Sequence, residues 1–126
     1  MLTSDSKFVI LHLYKIYLDR IEDGESINTA SYFGSDEESH YNYFLGMNFD
    51  KYVSSVHQLG RYGFATVAKG DNGFAALALS NKGIAYCENE TNKNYSLLLK
   101  AISDLKKTNN LEPNHLQLNR RRLAAT

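Results

Sequence analysis

Residues 48–83, NFDKYVSSVHQLGRYGFATVAKGDNGFAALALSNKG, decide the fold. Asn48 is an N-cap residue placed before a helical stripe of Phe49, Val53, Val56 and Leu59, and Met47 and Tyr52 occupy the two positions of a hydrophobic staple. Gly60 lies unusually inside this helix. Two apolar segments follow, residues 64–68 and 74–79, separated by Lys69-Gly70-Asp71-Asn72-Gly73. Those five residues tolerate the positive φ angles of a tight hairpin turn. Ser80 then caps a short helix to about Glu88, with Ile84 and Tyr86 or Cys87 turned inward. The stretch predicts helix, hairpin, helix.

Upstream, residues 6–22 carry Phe8, Ile10, Leu11, Tyr14, Ile16, Tyr17, Leu18 and Ile21 at helical spacing, and Gly24 stands where such a helix terminates. Residues 26–29 are expected to form a very short strand. Ser35 and Glu38 have capping-box spacing and start a second helix, which should bury Tyr41, Phe44 and Leu45 and stop at Gly46. Tyr43, Tyr52 and Tyr62 are assigned exposed positions. Downstream of a polar gap at residues 89–94, Tyr95, Leu98, Leu99, Ile102 and Leu105 share one face of a further helix. From residue 109 the pattern dissolves around Pro113 and Arg120-Arg121-Arg122, which predicts a flexible basic tail. The fold class is mainly α with a small β-hairpin, α+β.

A chain of 126 residues supports one domain with a modest core. No apolar run approaches the length of a spanning helix, and the first apolar segment is broken by His12, Lys15 and Asp19 and lacks a cleavage site, so a cytoplasmic location is expected with no membrane partner. The single Cys87 agrees with a reducing compartment and is read as core filling. The net charge is zero but divided: residues 1–91 hold 7 Lys/Arg against 12 Asp/Glu, and residues 92–126 hold 7 against 2. The folded part is acidic and the tail basic.

Val56 and Leu59 followed by Gly63-Phe64-Ala65, and Leu79-Ser80-Asn81-Lys82-Gly83-Ile84-Ala85-Tyr86 after the turn, resemble the small bacterial and phage winged helix-turn-helix proteins, including the YjcQ-like group. The resemblance covers roughly residues 6–89. It implies a winged-helix domain over residues 1–91, an additional C-terminal helix over 92–108 for dimerisation or packing, and the tail over 109–126. It also implies a homodimeric DNA-binding transcriptional regulator. The third helix would then enter the major groove with Lys51, Ser54, Ser55, His57 and Gln58 outward. Arg61 and the wing's Lys69 would meet phosphates, Asn72 would reach the backbone or minor groove from the wing tip, and Tyr95, Leu98, Leu99, Ile102 and Leu105 would form the dimer seam.

Affinity for nucleic acid rests on neutralised phosphates, and only three basic residues lie on that face. A second function therefore stays open: a winged-helix protein-protein interaction module with an acidic, tyrosine-rich face and a protein partner. No enzyme is expected. The four histidines lie on different elements, Cys87 has no neighbouring base, and Asp36 with His40 supplies two metal ligands only. Gly70 and Gly73 sit in a hairpin and open no phosphate-binding helix. No cofactor or metal is expected.

Overall fold

The computed structural model describes residues 1–111. Within them the order is α1 (Ser4–Glu22), α2 (Ile27–Ala30), β1 (Tyr32–Gly34), α3 (Asp36–Tyr43), α4 (Phe49–Arg61), β2 (Ala65–Lys69), β3 (Phe74–Leu79), α5 (Asn81–Thr91) and α6 (Tyr95–Thr108). Among the described residues this is an α+β fold of six helices and one antiparallel sheet of order β1-β3-β2. None of those helices is long and apolar enough to cross a membrane.

The core is built around α1. Phe8, Val9, Ile10, Leu11, Leu13 and Tyr14 are all buried, so this helix is apolar on nearly every side and needs neighbours all round. It finds them in α4, α5 and α6. At its end Gly24 takes φ +92°, while the Glu25 amide donates to the Arg20 carbonyl and the Gly24 amide to Ile21. That is the two-bond C-terminal closure for which glycine is suited. Gly63 closes α4 in the same way, with φ +79° and the Phe64 amide donating to the Leu59 carbonyl.

Local caps set the other boundaries. Asn48 accepts from the Lys51 amide, Ser80 from the Gly83 amide, and Ser35 and Glu38 complete a reciprocal capping box. Gly60 lets β2 lie on α4, since a Cβ there would stand 3.1 Å from Val67 Cγ2. The hairpin carries a bulge near its tip: Ala68 pairs with Ala76 but Lys69 with Phe74. The extra residue lets Phe74 and Leu77, three apart, both reach the core.

Several expectations need correction. The short strand expected at residues 26–29 is α2, because the Ser26 side chain accepts the Thr29 amide and caps a helical turn. The strand falls later, at Tyr32–Gly34. The second predicted helix, α3, ends at Tyr43 and does not run to Gly46. Phe44 is buried at its C-cap, but Tyr41 and Leu45 are exposed, at 71% and 51%. Phe49 is partly exposed, and Tyr52, expected on the surface, is fully buried in its place. Its hydroxyl donates to Ser39 Oγ at 2.6 Å and its ring stacks on Phe44.

Candidate functional site

The most distinctive surface lies where α3 meets α4. Glu37 and Tyr41 are four residues apart on α3 and both exposed, Glu38 flanks them, and exposed Leu45 follows in the turn before Phe49 and Asp50. Acidic residues cluster in the first turn of α3 because the positive end of the helix dipole favours them there. Two amides of that turn, those of Glu37 and Glu38, are already engaged. Ser35 Oγ accepts from Glu38, and Asp36 accepts from Glu37 at 2.7 Å through Oδ1 and from Phe74 at 3.3 Å through Oδ2. Asp36 thereby fastens α3 to the hairpin. A Cβ at Gly73 would stand 2.0 Å from its Oδ2, so a side chain there would displace the Asp36 carboxylate from the hairpin.

On α4, Lys51, Ser54 and Arg61 are exposed, and so are Lys69 and Asn72 on the hairpin. The remaining residues expected on the DNA face are placed differently. Ser55 is buried, with its carbonyl accepting from Ser6 Oγ at 3.4 Å. Gln58 Oε1 accepts from the Thr3 amide at 3.0 Å, which ties it to the start of α1. His57 is half-buried, with its ring edge-on to Phe74 at 6.3 Å. A shallow recess of about 370 Å³ separates the outer face of α4 from Thr3, Asp5 and Ser6. Asp5 and Asp50 therefore border the same recess as Lys51 and Arg61.

The face of α6 is divided. Leu98 and Ile102 are buried within the chain, where α6 packs on α1, so they are spent inside the protomer. Tyr95 and Leu99 are exposed and Leu105 is half-buried. Tyr95 donates its hydroxyl to Asp19 at 2.8 Å, which also anchors α6 to α1. Of the expected tail, residues 109–111 are described, and Asn109 exchanges side-chain hydrogen bonds with Ser4. The Arg120 cluster lies outside the described residues.

The other candidate chemistry is engaged structurally. Cys87 is fully buried with Sγ 3.8 Å from the Ile10 carbonyl, and burial pushes its thiol well above the ordinary range. His40 Nε2 lies 2.6 Å from the Met47 carbonyl and its ring meets Phe49 edge-on, so it braces the α3–α4 turn.

Arg20, by contrast, drew no attention in the sequence. Its guanidinium donates to the carbonyls of Ala30 (3.3 Å) and Tyr32 (2.7 Å) and to Tyr43 Oη (2.6 Å), and lies over the Phe33 ring. It joins α1, β1 and α3, and nothing in its local pattern announces those distant acceptors. No protein-family model, curated protein or solved structure matches this chain.

Proposed function

We propose that the chain is a winged-helix domain that acts as a protein-interaction module, with the acidic and apolar corner of α3 and α4 as its contact surface. The observation that carries this reading is the N-terminus of α3. In a helix-turn-helix that binds DNA, the first helix crosses the phosphate backbone, and helix N-termini are common phosphate contacts. Here that N-terminus bears Asp36, Glu37 and Glu38, and the Glu38 and Glu37 amides are occupied by Ser35 and Asp36. Phosphates approaching it would meet carboxylates. A partner carrying basic and apolar side chains would instead pair with Glu37 and Glu38 and cover Tyr41, Leu45 and Phe49.

A second reading, a DNA-binding regulator, is favoured by the exposure of Lys51, Ser54, Arg61, Lys69 and Asn72 along α4 and the hairpin. Those three basic residues give few phosphate contacts, so binding by one copy would be weak and steeply weakened by salt. The two readings separate in one experiment. Fluorescence anisotropy with mixed-sequence duplex DNA, at low and at physiological salt, should show no saturable binding by the full chain. Saturable binding at low salt that is abolished by Lys51→Ala with Lys69→Ala would overturn the interaction reading. Binding that is instead lost when the chain ends at Asn109 would assign the contact to the basic tail.

A further inference from the structure

A cleft of about 430 Å³ opens between α1, the end of α3 and α6. Its charged and polar lining includes Lys15, Lys106, His12, Asn42, Tyr43 and Ser103, and its apolar lining includes Ile16, Leu99 and Ile102. This lies outside the corner of α3 and α4 assigned to the partner, and it draws two ammonium groups toward one space.

The charges there do not balance. Lys15 is paired with Asp19 at 2.8 Å, and Asp19 is held in turn by Tyr95. Lys106 forms no ion pair among the described residues, although it is half-buried. Burial and the neighbouring Lys15 both disfavour its charge. His12 forms part of the wall, and its buried Nδ1 has no hydrogen-bond partner. Burial holds that imidazole neutral, so it adds no charge. Among the described residues one positive charge is therefore left uncompensated beside apolar side chains. Leu99, exposed at 44%, stands at this cleft with its side chain uncovered.

We infer that the cleft binds a small apolar monocarboxylate, with the carboxylate on the Lys106 and Lys15 ammoniums and the hydrocarbon body against Ile16, Leu99 and Ile102. A single uncompensated charge matches a monoanion better than a phosphate dianion. Ile16, Leu99 and Ile102 give a hydrocarbon body contacts that a fully hydrated ion would not use. Asn42 and Ser103 supply neutral hydrogen-bonding groups at the mouth.

The test uses the full chain and defined probes. Amide chemical shifts are followed by ¹H–¹⁵N NMR while hexanoate, hexanol or inorganic phosphate is added at constant ionic strength. Hexanoate should give saturable shifts centred on Asn42, Ser103 and Lys106, with a Kd on the order of 1 mM for so small a ligand. Hexanol and phosphate should bind at least about tenfold more weakly, the scale of one charge-assisted contact. Lys106→Met should weaken hexanoate by a similar factor. Lys100→Met should not, since Lys100 is largely exposed and pairs with Asp104. Absent saturation by hexanoate, equal binding of hexanol, tighter binding of phosphate, or an unchanged Kd in Lys106→Met would each overturn the assignment.

Discussion

At the scale of single residues, Tyr52 shows how a polar atom is accommodated in this core. The side chain is fully buried, stacked on Phe44 at 4.7 Å and edge-on to Phe74 at 6.0 Å. Its hydroxyl donates to Ser39 Oγ, which donates to the Ser35 carbonyl at 2.7 Å, so the chain of bonds ends on the N-cap of α3. Burial pushes the phenol well above its ordinary range and keeps it a neutral donor. Tyr52→Phe keeps the packing and removes one bond, and Ser39 retains its own acceptor. The expected loss is about 1 kcal/mol in urea denaturation. Tyr52→Ala removes the ring and should cost about 3–5 kcal/mol. Equal losses from the two variants would show that the bond, and not the ring, holds α3 to α4.

At the scale of elements, two tethers decide how helices meet. Arg20 binds three acceptors on different segments through a planar fork, a geometry that lysine cannot reproduce. Arg20→Lys is expected to lose about 2 kcal/mol of stability by chemical denaturation, and a loss under about 0.5 kcal/mol, the range of ordinary surface changes, would refute that role. On α6, Leu98→Asp puts an uncompensated charge into the core and should abolish cooperative thermal unfolding, whereas Leu99→Asp should leave the melting temperature within a few degrees. Identical behaviour of the pair would contradict the packing of α6 on α1. The same division explains what was legible in the sequence. The caps at Ser35, Asn48 and Ser80 and the closing glycine Gly24 are short-range signals and stand where they were expected, whereas Gly46 does not close α3 and the turn at Gly70 is made without the positive φ expected of it. The burial of Tyr52 and exposure of Tyr41 and Leu45 depend on Ser39, Phe74 and the early end of α3, which no local spacing encodes. Strand Tyr32–Gly34 is three residues long and paired through an irregular register, so it leaves no alternation to detect. At the candidate site, the acidic start of α3 and the basic shortage on α4 were visible as composition, but the burial of Ser55 and the tie of Gln58 to Thr3 were not.

For the whole molecule, the pH dependence of stability follows from one imidazole that is half-buried, with its Nδ1 enclosed. His12 lies against Phe8 at 5.8 Å and Phe44 at 5.1 Å, with its Nδ1 enclosed and unpartnered. Burial first, then the positive charges of Lys106 and Lys15, push its pKa down from 6.5 to about 3. The folded protein therefore keeps His12 neutral over a range in which the unfolded chain takes up a proton. Between about pH 6.5 and pH 3 the unfolded state binds more protons, so stability falls as pH falls. The contribution is fully present above the unfolded pKa and shrinks by up to about 1.4 kcal/mol per pH unit. Asp19 adds a loss of the same sign that sets in only as pH falls into its ordinary carboxyl range, because although burial opposes it, Lys15 and Tyr95 hold its folded pKa lower still. Measurements between about pH 7 and pH 5 thus isolate the histidine from Asp19. Urea denaturation of the native chain should give a stability that declines across this interval, and His12→Gln should reduce that decline by about 1 kcal/mol or more per unit. The two curves should converge toward the acid end, where the native chain has lost what neutral His12 contributes. Parallel curves over the whole interval would show that His12 does not stay neutral in the folded protein.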